Sequence, residues 1–139
     1  MHAAEAILAA GGAADCRLVQ VGSPRCAVAE PLQARTAYLY AARRAGKPAD
    51  PVCRLGTWGG WERTAAGWLR WNRLKYAPKV RTPLHIKGGH ADYFREGEWY
   101  RAAADAPLNL QVTVDAMWAT LTEPLPAARD ETILSGMDV

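Results

Sequence analysis

The stretch over residues 57–81 constrains the fold most, because it holds four of the six tryptophans among basic side chains. It reads TWGGWERTAAGWLRWNRLKYAPKVR. The recurrence of Trp61, Trp68 and Trp71 at helical steps predicts a helix over about residues 60–76. Large apolar residues are scarce elsewhere, with a single phenylalanine, so we expect the tryptophan face of this helix to supply much of the core.

Composition and charge place the chain among ordinary globular proteins. Its 139 residues fit one domain, which we expect over residues 1–126, followed by an arm or tail over residues 127–139. The net charge is only +3, but every lysine and arginine except Arg129 lies at or before Arg101. The chain therefore has a basic body and an acidic end, and a content of 22% charged residues gives no sign of wholesale disorder.

The remaining patterns predict an α+β fold with few elements. A second main helix is expected over about residues 30–45, opened by the Glu30-Pro31 pair and stopped by Gly46. A short helix is expected over residues 3–10. The strand predictions are residues 16–21, 84–86 and 108–114, of which the last alternates best. The expected fold is a small single domain with two main helices, a few antiparallel strands and extended terminal arms.

The three cysteines, Cys16, Cys26 and Cys53, are an odd number, which argues against the disulfide framework of a secreted protein. The first residues are rich in alanine but carry Glu5 and no cationic region, which is not typical of a signal peptide. We therefore expect reduced thiols in an intracellular, reducing compartment, either the cytoplasm or an organelle lumen, with no membrane span and no cofactor.

A helix rich in tryptophan and arginine is typical of a docking surface, because these residues dominate the energetics of protein–protein interfaces. The sequence thus predicts a non-catalytic, structural or accessory subunit of a larger multiprotein assembly, which docks through this helix and its terminal arms. The expected partner-binding residues are Trp61, Arg63, Trp68, Arg70 and Arg73.

The basic residues of the same stretch support an alternative, a nucleic-acid-binding module, because cationic side chains pair with phosphates wherever they can reach them. An exposed tryptophan beside them would stack on a base. The residues of this alternative are Arg70, Arg73, Lys75, Lys79 and Arg81.

A second alternative is a small acid/base or metal-dependent enzyme around His85 and His90, which flank a lysine and two glycines. Either histidine could complete a zinc site with the three cysteines, but no close ligand pair pre-forms half of such a site, so the sequence predicts no metal. The carboxylates near His90 are Asp92, Glu96 and Glu98, which lie among aromatic residues as glycosidase acids often do, but they are expected to pair with Arg95 and Arg101 at the surface. No nucleophile motif is present, and the sequence favours a non-catalytic protein.

Overall fold

A three-stranded sheet and a separate two-stranded hairpin form the framework of the protein. The computed structural model describes Ala6 and residues 16–43 and 46–123. The strands are β1 (Leu18–Val21), β2 (Thr36–Ala41), β3 (Gly60–Arg63), β4 (Leu69–Asn72) and β5 (Val80–Leu84). The helices are α1 (Glu30–Gln33) and α2 (Asn109–Thr122), with 3-10 turns at Val52–Arg54, His90–Asp92 and Glu98–Tyr100. The fold is a small mixed α/β domain that contains both parallel and antiparallel strands.

Strand β2 is the centre of the larger sheet, whose order is β1-β2-β5 with both pairings parallel. Its residues alternate between two covered faces. Leu39 and Ala41 belong to one apolar cluster, whereas Tyr38 and Tyr40 pack in another. Because both faces of β2 are covered, its sequence is a near-continuous apolar run, as expected for a central parallel strand.

The two faces of the sheet are covered differently. Helix α2 packs its Val112, Ala116 and Met117 against the Leu39 face, together with the buried Tyr93. On the Tyr38 face lie Cys53, Trp58 and Ala77, which come from the connection between β2 and β5. Most of the described residues of that connection are exposed.

The helix predicted over residues 60–76 is wrong, because this stretch is the antiparallel hairpin β3–β4. Trp61 pairs with Trp71 across the strands, and the five-residue loop between β3 and β4 contains Gly67, whose φ is 83°. Only Gly is at ease in that backbone region, and it lets the chain reverse. Side chains of residues 61–63 and 69–71 alternate between the two faces of the hairpin, with a period of two. The prediction relied instead on the spacing between the tryptophans, which also fits a helix.

The prediction that the tryptophans form the core is also wrong. Trp58 is buried with 6% exposure, but Trp61 and Trp68 are 60% and 75% exposed, and Trp71 is also exposed. A two-stranded hairpin has no second layer against its aromatic face here, so these side chains lie at the surface. The core is built instead from aliphatic residues of the sheet and from the buried Tyr38 and Tyr93.

The helix predicted over residues 30–45 is wrong beyond its first turn. The Glu30-Pro31 start is helical, but the helix ends at Gln33, and strand β2 begins after a two-residue turn, at Thr36. Strand β2 reads TAYLYA, and β-branched and aromatic residues suit a strand that is covered on both faces.

The strand predicted over residues 108–114 is wrong as well, because these residues open α2. The helix runs without glycine or proline between Pro107 and Pro124, and the Gln111 side chain accepts a hydrogen bond from the Leu108 backbone N–H at its start. The strand predicted over residues 16–21 is confirmed as β1. The strand predicted over residues 84–86 lies earlier, as β5, and shares only Leu84.

Two sequence predictions fall outside the described residues. They are the helix over residues 3–10, of which only Ala6 is described, and the arm over residues 127–139. Within the described part of the chain, no helix is both long enough and apolar enough to cross a membrane.

Candidate functional site

The carboxyl ends of the three parallel strands meet at one edge of the sheet, where the most elaborate polar cluster lies. Gly22 directly follows β1, Asp50 lies in the connection after β2, and His90 and Tyr93 lie in the segment after β5. In open parallel sheets this edge is the usual place for a ligand or a catalytic group. The sheet therefore brings together residues that are far apart in the sequence.

Asp50 is the centre of this cluster and is completely buried. Its Oδ2 accepts hydrogen bonds from the Tyr93 hydroxyl at 2.9 Å, from His90 Nδ1 at 3.0 Å and from the Cys53 thiol at 3.4 Å. Its Oδ1 accepts one from the Val52 backbone N–H at 2.8 Å. Burial alone would raise the pKa of Asp50, but these hydrogen bonds, led by that of His90, hold the pKa below its ordinary value.

His90 connects the buried carboxylate to solvent. Its side chain is 52% exposed, although its Nδ1 is bonded to a wholly buried group. An ionised carboxylate only accepts, so the proton between the two is assigned to Nδ1, and in the neutral imidazole Nε2 then carries the lone pair. Nε2 has no hydrogen-bond partner among the described residues. This geometry orients an imidazole with its basic nitrogen available.

The segment that carries His90 is fixed by helix α2. The Asn109 side chain donates to the backbone carbonyls of Lys87 and Asp92 and accepts from the Lys87 N–H. The Thr113 hydroxyl donates to the Tyr93 carbonyl at 2.8 Å. Asn109 and Thr113 are both buried, so these bonds are shielded from competing water. The polar start of α2 thus sets the position of His90.

Tyr93 joins the cluster to the sheet itself. Its hydroxyl accepts a hydrogen bond from the Ala41 N–H at the end of β2 and donates to Asp50. Burial, the neighbouring Cys53 and the Asp50 carboxylate raise the pKa of Tyr93, and burial likewise raises the pKa of Cys53. Gly22 has a φ of 60°, and any side chain there would collide with the Tyr93 ring. The Tyr93 hydroxyl and the Cys53 thiol therefore stay protonated near neutral pH, and both donate to Asp50.

A cleft of about 770 Å³ lies on the Tyr38 face of the sheet, beside this cluster. Three arginines, Arg25, Arg73 and Arg81, line it, and none of its described lining residues is acidic. The aromatic residues of its lining are Tyr38, Tyr40, Trp58 and Trp71. Cys53 lines the cleft as well and contacts Asp50, so it joins the cleft to the polar cluster.

The wall of the cleft carries hydrogen-bond donors that lack acceptors. The Arg25 guanidinium lies 5.2 Å from the centre of the Trp58 ring, and Trp58 packs edge-on against Tyr38. The Arg25 Nε and the Trp58 Nε1 are both buried without a hydrogen-bond partner. The three arginines of the lining favour a ligand that is rich in hydrogen-bond acceptors.

The hairpin continues the cleft with an aromatic face. Trp61 and Trp71 pack edge to face with ring centres 5.5 Å apart, and Arg63 and Leu69 are the next cross-strand pair on the same face. We call this surface the hairpin face. The other side of the hairpin is polar, because Glu62 accepts hydrogen bonds from Arg70 and Asn72 there.

The structure separates the basic residues that the sequence predicted to act together. Arg73 and Arg81 both reach the cleft, whereas Arg70 forms an ion pair with Glu62 on the opposite side of the hairpin. The Lys75 ammonium donates to the Trp61 carbonyl, and Lys79 is exposed outside the cleft lining. Of the predicted partner-binding residues, Trp61 and Arg63 lie on the hairpin face. Trp68 lies at the loop and Arg73 in the cleft.

The two histidines predicted as a pair have different surroundings. His90 is bonded to Asp50, whereas His85 is exposed and has no hydrogen-bond partner among the described residues. In the described residues, no three His, Cys, Asp or Glu side chains are grouped as metal ligands would be. Two of the ion pairs expected at the surface are confirmed, Arg101 with Glu98 at 2.7 Å and Arg95 with Asp92 at 4.0 Å, whereas Glu96 forms no ion pair with a described residue.

Sequence reasoning missed Arg25, Asp50 and Tyr93 as site residues, and no local pattern marks any of them. The one sequence feature near Asp50 is its position between two prolines in the connector after β2.

Comparison with protein-family models, with curated proteins and with solved structures finds no match for this chain.

Proposed function

We propose that the protein binds single-stranded nucleic acid, with phosphates in the cleft and bases on the hairpin face. The observation that carries this proposal is the lining of the cleft, in which three arginines and four aromatic side chains occur without a carboxylate. Single-stranded nucleic acid presents both partners that such a lining requires, negative charge along the backbone and flat rings beside it.

The charges of the cleft are available for a ligand. Arg73 and Arg81 are exposed and form no side-chain hydrogen bond or ion pair with another described residue. Their positive charges are therefore not neutralised locally, in contrast with Arg70, which pairs with Glu62. Guanidinium groups bind phosphate with two parallel hydrogen bonds, so two free arginines favour a phosphodiester backbone.

The hairpin face supplies the stacking surface. Trp71 belongs both to the cleft lining and to the pair with Trp61, so the aromatic surface is continuous with the basic one. Stacking of one base on an aromatic side chain contributes about 1–3 kcal/mol, with little dependence on sequence. Trp61 is the more exposed of the two rings and is the expected stacking residue.

Protein–protein docking is the second candidate function, because Trp61, Trp68 and Leu69 are all largely exposed on the hairpin. Exposed tryptophan and leucine beside arginine are typical of an interface with another protein. The accessory-subunit role in a larger assembly stays a prediction. We favour nucleic acid because the cleft adds uncompensated charge, which an apolar interface does not need.

The test measures binding of a mixed-sequence single-stranded RNA and a DNA of the same sequence, by tryptophan fluorescence, at several salt concentrations. The logarithm of the association constant falls with the logarithm of the salt concentration by about 0.7 per phosphate contact for single strands. The double variant Arg73→Gln/Arg81→Gln should therefore lose about 1.4 of this slope.

Arg70→Gln is the matched control, because it removes the same kind of charge from the opposite side of the hairpin. It should leave the slope of the wild-type protein nearly unchanged. Absence of binding to either strand at low salt would overturn the proposal and leave protein docking as the leading function. An Arg70→Gln effect equal to that of Arg73→Gln/Arg81→Gln would also contradict it, because the cleft would then have no special part.

A further inference from the structure

We propose that an exposed apolar stripe on helix α2 is the docking surface for residues 124–139 of the same chain, which we call the tail segment. These residues lie outside the described part of the chain, and they begin where the helix that carries the stripe ends. Helix α2 covers the Leu39 face of the sheet, whereas the cleft lies on the Tyr38 face. The inference is therefore independent of the binding of nucleic acid.

Four apolar side chains of α2 form the stripe. Leu110, Val114, Trp118 and Leu121 follow one another at steps of four, four and three residues, which places them along one side of a helix. This side is not the one that packs on the sheet. Trp118 is 68% exposed, and Val114 and Leu121 are exposed as well. The helix therefore has a second apolar side, which gains free energy only when something covers it.

Phe94 lies beside the first turn of α2 and adds to this surface. The Leu110 N–H donates to the Arg95 carbonyl at 3.1 Å. The Thr113 hydroxyl donates to the Tyr93 carbonyl at 2.8 Å. The backbone on both sides of Phe94 is thus bonded to the start of the helix, and the Phe94 side chain itself is exposed. The apolar surface continues from α2 onto the segment after β5.

The area of this surface favours an attached partner over a free one. The exposed parts of Phe94, Val114, Trp118 and Leu121 amount to about 400 Å², since a large aromatic side chain has about 150–250 Å² in total. A stable interface between separate proteins buries about 800 Å² on each partner. The stripe is therefore too small for a stable dimer. A segment of the same chain needs less area, because it avoids most of the entropy cost of association.

The tail segment begins at the right place and is long enough. Glu123 has an extended backbone, with φ −64° and ψ 143°, so the chain leaves the helix there, and Pro124 follows. From Leu121 back to Leu110 the stripe measures about 17 Å, at about 1.5 Å per helical residue. An extended chain from Pro124 to Ile133 spans up to about 30 Å. Ile133 can therefore reach every point of the stripe.

The composition of the tail segment matches the surface. It contains a group of large apolar residues between acidic ones, in the order Asp130, Glu131, Ile133, Leu134, Met137 and Asp138. The start of α2 is positive, because the helix dipole points there and because Lys87 and Arg95 are bonded to its first turn through their backbones. A tail segment that runs back along α2 brings its acidic residues toward this positive end.

The experiment places a photo-crosslinker in the stripe of the full chain, by the substitution Trp118→p-benzoylphenylalanine. Trypsin cuts after Arg101 and Arg129, so it separates the helix peptide 102–129 from the tail peptide 130–139. After irradiation we expect a cross-link between these two peptides within one molecule. Its yield should not depend on protein concentration, because the partner is attached. Should this variant fail to fold by circular dichroism, the same substitution at the exposed Leu121 takes its place.

The double variant Ile133→Ser/Leu134→Ser, made in the crosslinker protein, tests the apolar contact. It should lower the yield of the cross-link by about tenfold or more, the effect of losing the burial of a large aliphatic side chain. Ala127→Ser/Ala128→Ser is the matched control in the same segment and should stay within about twofold. A crosslinker at Trp68, which is 75% exposed on the hairpin loop, should not link to peptide 130–139.

Several results would overturn the proposal. A cross-link that joins two molecules would assign the stripe to a second copy of the chain. Absence of any link to peptide 130–139, or an equal link from the Trp68 position, would show that the tail segment does not dock on α2. A link that Ile133→Ser/Leu134→Ser leaves unchanged would also contradict it. None of these results bears on the cleft, whose function is decided by the salt-dependent titrations.

Discussion

The carboxyl edge of the sheet and the hairpin face differ in how their side chains are held: those at the edge are buried and hydrogen-bonded, and those on the hairpin are exposed. At the edge, Asp50 and Tyr93 are buried, and each makes several hydrogen bonds that fix its position. On the hairpin, Trp61 and Trp71 pack edge to face and are both exposed to solvent. The comparison indicates that the edge determines the folded state, whereas the hairpin face contributes mainly to recognition. Stability measurements can therefore separate the two regions.

The largest loss of stability is expected at Asp50. Asp50→Asn removes a charged acceptor that four donors share, and its amide group would face some of them with hydrogens. We expect the free energy of unfolding to fall by about 3 kcal/mol, measured by chemical denaturation. Asp105→Asn at an exposed position is the control and should change it by less than about 0.5 kcal/mol. A small effect at Asp50 would contradict the structural importance of the edge.

The same residue makes stability depend on pH. Folding holds the pKa of Asp50 below its ordinary value, so the ionised carboxylate stabilises the folded state above the ordinary range of aspartate. That contribution is lost as the pH falls through the pKa of the folded state. The difference in unfolding free energy between wild type and Asp50→Asn should therefore stay constant near neutral pH and shrink only below about pH 4, the ordinary pKa of aspartate. A difference that also stays constant below this pH would show that the charge of Asp50 is not what matters.

Tyr93→Phe is expected to have an intermediate effect. It removes the hydroxyl that links the Ala41 N–H to Asp50 and leaves a buried donor without an acceptor. The cost should be about 1–2 kcal/mol in the free energy of unfolding. Tyr100→Phe, whose hydroxyl makes no hydrogen bond with a described residue, is the matched control. Equal effects of the two variants would contradict the link between the edge and β2.

The smallest effects on stability are expected on the hairpin. Trp61→Ala removes the edge-to-face contact with Trp71 and should cost about 1 kcal/mol, while Trp68→Ala should stay within about 0.5 kcal/mol. Trp61→Ala should instead weaken binding of single-stranded nucleic acid by about 1–3 kcal/mol. Thermal unfolding and the binding titration, made on the same samples, test both halves. A Trp61 variant that unfolds more easily than Asp50→Asn would reverse the comparison.

The outcome for each element shows what local sequence contains. Strand β1 was predictable, because its residues favour a strand and a turn with Gly22 follows it. The hairpin over residues 60–76 and helix α2 were not predictable, because a short apolar pattern fits the strand period of two and the helix period of 3.6 almost equally well. Strand β2 was not predictable either, because a strand that is buried on both faces lacks the alternation of apolar and polar residues that indicates a strand.

The candidate site was predictable only in part. Arg73 and Arg81 could be named because they lie in one basic stretch, and His90 because histidine is rare in this chain. Asp50 and Arg25 could not, because they reach the site only through parallel strand pairing, which joins distant segments and leaves no mark in nearby residues. Exposure of the tryptophans was equally hidden, since the sequence does not show whether a second layer covers the hairpin.

The parallel order β1-β2-β5 also has a consequence for the time course of folding. The hairpin closes through a five-residue loop, and hairpins of this kind form within microseconds. Asp50 and His90 are 40 residues apart in the sequence, and their bond forms only after β5 has joined β2. Long-range pairing of this kind is slow because the entropy of loop closure must be overcome first. We therefore expect the hairpin to form early and the Asp50–His90 pair to be among the last contacts completed.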